Sequence, residues 1–188
     1  MSTVNSPFGI RAVEHPSGTI RTETYFPTAI PSAACYKGDP VKLTGDTYVV
    51  SIAAANDAII GIFDGCRYTD ATGKPTYSAY WPASLSGVTD IEWYCITDPL
   101  TVFEIQSGGP VAATAIGNSA DFVIAAGNVN TGVSGTYLNT SLKGAAAVGN
   151  FRIMGISQAV NNAWSDLFTI VRVTIGKGQR FTQENSIA

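Results

Sequence analysis

The chain has 188 residues, a formal net charge of −3, 45% hydrophobic residues and only 13% charged ones. Its 11 Lys and Arg residues are scattered singly, which sets nucleic acid aside as a partner, since such binders carry clustered basic patches. Residues 1–7 lack the basic and apolar regions of a secretory signal, and no apolar stretch is long enough to span a bilayer, so the expectation is a protein made in a cytoplasm with no membrane partner.

Residues 1–34 carry Pro7, Pro16, Pro27 and Pro31 and no sustained alternation. Proline cannot donate to a strand ladder and fixes an extended backbone. This stretch is therefore expected to be an extended N-terminal arm that lies across something rather than folding on itself. Phe8, Ile10, Tyr25, Phe26 and Ile30 are its apolar anchors.

Residues 35–175 are expected to form a β domain. Short β-branched and aromatic runs recur, separated by Gly, Pro, Asn and Asp. In order they are 48–52, 59–63 (ended by Asp64-Gly65), 76–81 (stopped by Pro82) and 91–96 (closed by Asp98-Pro99). The runs 101–106, 122–124, 137–138, 151–156 and 168–173 follow, while the Gly/Ala/Asn-rich stretch 125–149 reads as loop and weak strand. Strands at this spacing predict an all-β fold, an antiparallel β-sandwich or β-barrel. Within 102–106, Phe103 and Ile105 share one face and Glu104 and Gln106 the other; Val171 and Val173 likewise oppose Arg172. Such one-sided burial predicts an outer face left wet or covered by a partner. The polar, Gly-containing stretch 176–188 reads as a short C-terminal tail.

The residue pattern points away from catalysis. His15 is the single histidine and has no neighbouring nucleophile motif. The segment around Ser134, Gly-Val-Ser-Gly-Thr, misses the nucleophile-elbow pattern at its last residue. Asp64, Asp70, Asp90 and Glu92 are the acids a hydrolase would use in pairs, but the three aspartates fall in turns, where Asp commonly caps backbone. The stretch 176–181 opens like a dinucleotide fingerprint without its third glycine. Asn139 heads a glycosylation sequon that has no meaning without secretion. Cys35, Cys66 and Cys95 fit no metal or redox spacing and read as reduced, buried small hydrophobes. No catalytic residue, metal or cofactor is therefore expected. A glycan-binding sandwich would need an aromatic platform, for which Trp81, Trp93 and Trp164 are the candidates; core packing is the preferred role for the first two.

Several segments together resemble the capsid cement, decoration or head structural proteins of tailed bacteriophages. Residues 5–13, Asn-Ser-Pro-Phe-Gly-Ile-Arg-Ala-Val, resemble that family's N-terminal signature, with Ala12 where the family commonly has Pro. Further similar blocks, in order, are 38–43, 59–65 with Tyr68 and 80–82, 98–106, and 152–156. The resemblance implies β-rich subunits, often homotrimers, bound to the major capsid protein on the outer face of a phage head. It implies a non-enzymatic role in stabilising the shell, with the virion surface as the location. A tail or head-completion component is an alternative of the same class. In the arm, Pro7, Phe8, Gly9, Ile10 and Arg11 are the expected capsid or subunit contact: Phe8 and Ile10 need burial, and Arg11 suits an acidic neighbour.

Overall fold

A computed structural model of the chain describes residues 3–27, 29–44, 50–143 and 147–179. Among these the fold is all-β, interrupted by one 3-10 turn at Ala113–Ala115. In chain order the strands are β1 (Arg11–Glu14), β2 (Glu23–Tyr25), β3 (Cys35–Tyr36), β4 (Pro40–Leu43), β5 (Val50–Ile52), β6 (Gly61–Thr69), β7 (Pro75–Ser78) and β8 (Tyr80–Trp81). They continue with β9 (Thr89–Ile96), β10 (Val102–Gln106), β11 (Ser119–Ala120), β12 (Phe122–Val123), β13 (Tyr137–Leu138), β14 (Phe151–Ile156) and β15 (Ile170–Ile175).

Two large antiparallel sheets pack as a sandwich. The first runs β1-β10-β15-β14-β11 and the second β2-β9-β6-β4-β5, with β7 added on β6. Small ribbons β3-β8 and β12-β13 accompany them. The alternation in the sequence explains the layering. Phe103, Ile105, Phe151, Ile153, Val171 and Val173 all point inward from the first sheet and meet Ile62 and Ile96 of the second. On the other side of the second sheet, Phe63, Cys66, Tyr68, Trp93 and Cys95 meet Cys35 and Trp81, building a separate buried cluster. The second sheet therefore contributes to a buried apolar cluster on each of its faces.

The run 76–81 does not form one strand. It divides at Ala79, sending β7 to β6 and β8 to β3. The Ser78 hydroxyl accepts from Tyr80 N at 3.2 Å and donates to Tyr80 O at 2.5 Å, fixing the bend. Positions 48 and 49 of the first expected strand lie outside the described residues, and its remainder is β5.

Two short segments of the expected arm enter the sheets: β1 pairs with β10 and β2 with β9, each in a different sheet. Ile10 and Tyr25 drive this: both are buried, one in each cluster. Short strands between prolines satisfy the ladder without requiring long alternation. The tail is tied at its described start. Gln179 N donates to Ile59 O at 2.8 Å, and its side chain brackets the backbone N–H and carbonyl of Leu43. Positions 180–188 lie outside the described residues.

The outer face of β10 is also not left open. Glu104 and Gln106 are buried beneath the chain's own N-terminal segment and the loop at Ser157.

Candidate functional site

The segment Pro7–Arg11 is held from four directions. Gln106 grips what precedes it: Oε1 accepts from Ser6 N at 3.0 Å and Nε2 donates to Val4 O at 3.1 Å. Ile10 N donates to Gly38 O at 3.0 Å. Gly9 adopts a positive φ of 72°, and a Cβ there would come 2.7 Å from that of Ser134, so the crossing demands glycine twice over. Arg11 Nη2 donates to Glu104 Oε2 at 2.7 Å, and its guanidinium lies 4.9 Å from the Phe8 ring centroid.

Two buried carboxylates anchor this crossing and are tuned in opposite directions. Burial pushes Glu104 up, but hydrogen bonds from Ser157 and Arg11 and the charges of Arg11 and Arg172 outweigh it and hold the group below its ordinary value. Burial also pushes Asp39 up, and here it wins over hydrogen bonds from Ser134, Tyr36 N and Thr136. Asp39 is buried and takes 2.8 Å and 3.1 Å bonds from Tyr36 N and Thr136 Oγ1, with Ser134 Oγ in close contact. The difference is charge: Glu104 has two arginines beside it, whereas Asp39 has only neutral donors.

Of the expected contact residues, Gly9 and Ile10 face the chain's own interior, while Pro7, Phe8 and Arg11 remain partly or fully open. Phe8 and Arg11 line a cavity of about 520 Å³ together with Ile20, Lys37, Asp64 and Val133. Its wall is apolar, and the Lys37–Asp64 ion pair (2.8 Å) sits at it. Other apolar side chains of the first thirty residues are also exposed. Val4 is 69% exposed and Phe26 58%, with Ile20 and Ile30 also open.

The candidates for chemistry are dispersed. His15 Nε2 lies 3.1 Å from Asp98 Oδ2, in ion-pair range but off hydrogen-bond geometry, and Nδ1 meets Ser17 Oγ at 2.7 Å. Ser134 spends its hydroxyl on Asp39. Asp70 caps its own turn, accepting from Thr72 N at 2.8 Å and Lys74 N at 3.0 Å. Asp90 accepts from Thr69 Oγ1 at 3.0 Å. Asp64 pairs with Lys37, and Glu92 with Arg67 at 2.9 Å. Asn139 accepts from Ser141 N at 2.9 Å, an Asx turn. Gly176–Gln179 closes against Asn150 and Ile59. Among the described residues, no three His, Cys, Asp or Glu side chains are grouped to hold a metal ion. Cys35, Cys66 and Cys95 are unpaired and buried.

The tryptophan platform is absent. Trp81 and Trp93 are fully buried, and Trp164 packs partly against the first core. Two residues that sequence reasoning passed over are more accessible: Tyr77 is 72% exposed, and the half-buried Tyr94 lines a shallow cavity beside it. Period-two alternation with Cys66 and Cys95 would have flagged both faces, had the strand pairing been known.

No family model, characterised protein or solved structure matches the chain.

Proposed function

We propose that the chain is a non-enzymatic structural subunit that attaches to a larger protein shell, a capsid cement or decoration protein bound to the outer face of a phage head. The observation that carries this reading is the set of exposed apolar side chains within the first thirty residues. Val4, Ile20, Phe26 and Ile30 are exposed on a chain with only 13% charged residues. Depletion of charge around exposed apolar groups is the mark of an interface core.

The arrangement of the cement-like blocks supports the same reading. Blocks that are far apart in sequence meet at one crossing. Ile10 bonds to Gly38, Phe63 N donates to Asp39 O at 2.9 Å, and Arg11 pairs with Glu104. The residues of these blocks thus meet around the half-buried Phe8. The partners under this proposal are the major capsid protein and the chain's own subunits, as a homotrimer. Many copies on a shell gain by multivalency, so modest contacts suffice.

Copy number in purified particles tests the proposal. A decoration protein is present in numbers comparable to the major capsid protein; a tail or portal component is limited to about a dozen copies by ring symmetry. Phe26→Ser and Ile30→Ser should leave the fold intact, changing stability by no more than about 0.5 kcal/mol. They should weaken attachment in a particle-binding assay. Unchanged attachment in the double variant would count against this surface. Light scattering on the isolated chain reads the trimer directly.

A further inference from the structure

The second sheet reaches further than the first covers it. Tyr94 shares a face with Ile96, and Ile96 lies in the core between the sheets, yet Tyr94 is only half-buried and lines a shallow cavity further along that face. There the register sets residues in rows across the strands. Tyr77, Arg67 and Glu92 stand in one row across β7, β6 and β9. In the next row Gly65 faces Tyr94, with Thr24 of β2 beyond it.

Gly65 has no side chain to fill its place in that row, and a Cβ there would meet Ser78 O at 3.1 Å. A bulge between Phe63 and Gly65 breaks the register at this point and re-aims Asp64. The result is a shallow cavity of about 290 Å³ over Gly65, walled by Tyr77 and Tyr94 and edged by Asp64 and Ser78.

The polar groups are held before any ligand arrives. Glu92 accepts from Arg67 Nη1 at 2.9 Å through one oxygen and from the Tyr94 hydroxyl at 2.9 Å through the other. The Arg67 guanidinium lies 5.9 Å from the Tyr77 ring centroid. Tyr77 and Tyr94 thus flank a concavity edged by the Asp64 carboxylate and the Ser78 hydroxyl, with the Arg67–Glu92 pair in the neighbouring row. The charges are paired, Arg67 with Glu92 and Lys37 with Asp64, so the site favours a neutral ligand.

We propose that this face binds a neutral saccharide, with one sugar ring over Gly65. A pyranose ring presents C–H groups on its flat face, which pack on the tyrosine rings, and hydroxyls at its edge, which suit a rim of mixed acceptors and donors. A protein partner would also use Tyr and Arg. It would not need a concavity of one-ring size with acceptors at its edge. This inference is independent of the shell reading, and its test uses the isolated full-length chain.

The test is amide NMR titration with maltotriose, galactose oligomers and N-acetylglucosamine oligomers. At least one series should shift amides in residues 64–67, 76–79 and 92–95, the strands that frame the cavity. Tyr77→Ala should weaken binding about tenfold, whereas Tyr77→Trp should retain it because the stacking face is kept. Glu92→Gln should weaken binding while leaving the spectrum of the first sheet unchanged. Shifts absent from every series, or an affinity unchanged in Tyr77→Ala, would overturn the proposal. So would loss of self-association in Tyr77→Ala, which would give the face to a second copy of the chain.

Discussion

The two buried clusters are built by different means. The one between the sheets is aliphatic and phenylalanine-rich, and its side chains come from neighbouring strands in regular register. The one behind the second sheet is made of aromatic rings and thiols. Trp81 and Trp93 stand 6.1 Å apart, Tyr68 meets Trp81 edge-on at 5.3 Å, and Phe63 meets Trp93 edge-on at 5.1 Å. Its cover is the short ribbon β3-β8 together with the proline-bearing backbone around Pro31. A ladder holds the first core by many equivalent bonds; the second is closed by few. Trp81 Nε1 donating to Pro31 O at 2.9 Å is a chief one.

The largest effect should come from breaking the first core. Phe103 is fully buried at the centre of the β1-β10-β15 ladder. Phe103→Ala should cost about 4 kcal/mol and lower the single unfolding transition of the whole chain. Denaturant melts followed by fluorescence and by circular dichroism should shift together. If only one signal moves, the cores unfold separately.

The second core offers a sharper contrast, because its two indoles differ. Trp81 uses its N–H, whereas the buried Trp93 Nε1 has no hydrogen-bond partner. Trp81→Phe leaves Pro31 O without its donor and should cost about 1 kcal/mol more than Trp93→Phe, which removes an unsatisfied group. Hydrogen exchange should rise around residues 31–36 in Trp81→Phe and stay unchanged in β10, β14 and β15. Equal costs for the two substitutions would mean that the indole bond does not hold the roof.

The same division explains what could be read in the sequence. The runs 102–106 and 170–173 alternate, and Phe103, Ile105, Val171 and Val173 point inward as that alternation names. The all-β class follows from them. The N-terminal strands were not legible, because β1 and β2 are too short for a period to show and their prolines argue for an arm. What places them is contact at long range: Arg11 with Glu104, Tyr25 opposite Trp93. Burial of Glu104 and Gln106 was hidden for the same reason, since the cover comes from residues 53 to 100 positions away in the chain. The inward turn of Ile10 depends on Gly9 and Gly38 meeting, which no local pattern records.

A moderate effect should separate the two anchoring carboxylates by pH. Glu104 is lowered in the fold, so its contribution is fully present above the unfolded carboxylate range and is lost as pH falls through the folded value. Asp39 is raised, so its contribution has the opposite sign: it is present below the unfolded range and lost as pH rises through the folded value. Glu104→Gln should therefore cost about 1 kcal/mol at neutral pH and flatten the acid limb of the stability curve. Asp39→Asn should leave the acid limb and flatten the change on the alkaline side of the ordinary carboxylate range. Chemical denaturation across that pH range decides, and identical profiles for the two variants would refute the opposed tuning.

The smallest effect concerns the thiols, and it tests whether the roof of the second core stays shut. Burial pushes Cys66 up to about 12, and burial pushes Cys95 and Cys35 up as well. Alkylation needs a thiolate and access. In native protein at mildly alkaline pH all three should react slowly, and in denaturant all three should react at once. Cys66 should be first among them natively, because it lies under the shallow cavity over Gly65, while Cys35 and Cys95 lie wholly inside. Mass spectrometry of peptides after timed alkylation gives the order. Trp81→Phe should speed Cys35, the thiol of β3, more than Cys66, because it loosens the β3-β8 side and leaves β6 in its sheet. If the substitution speeds all three thiols equally, the roof does not open as a unit of its own, and the second core is as cooperative with the sheets as the first.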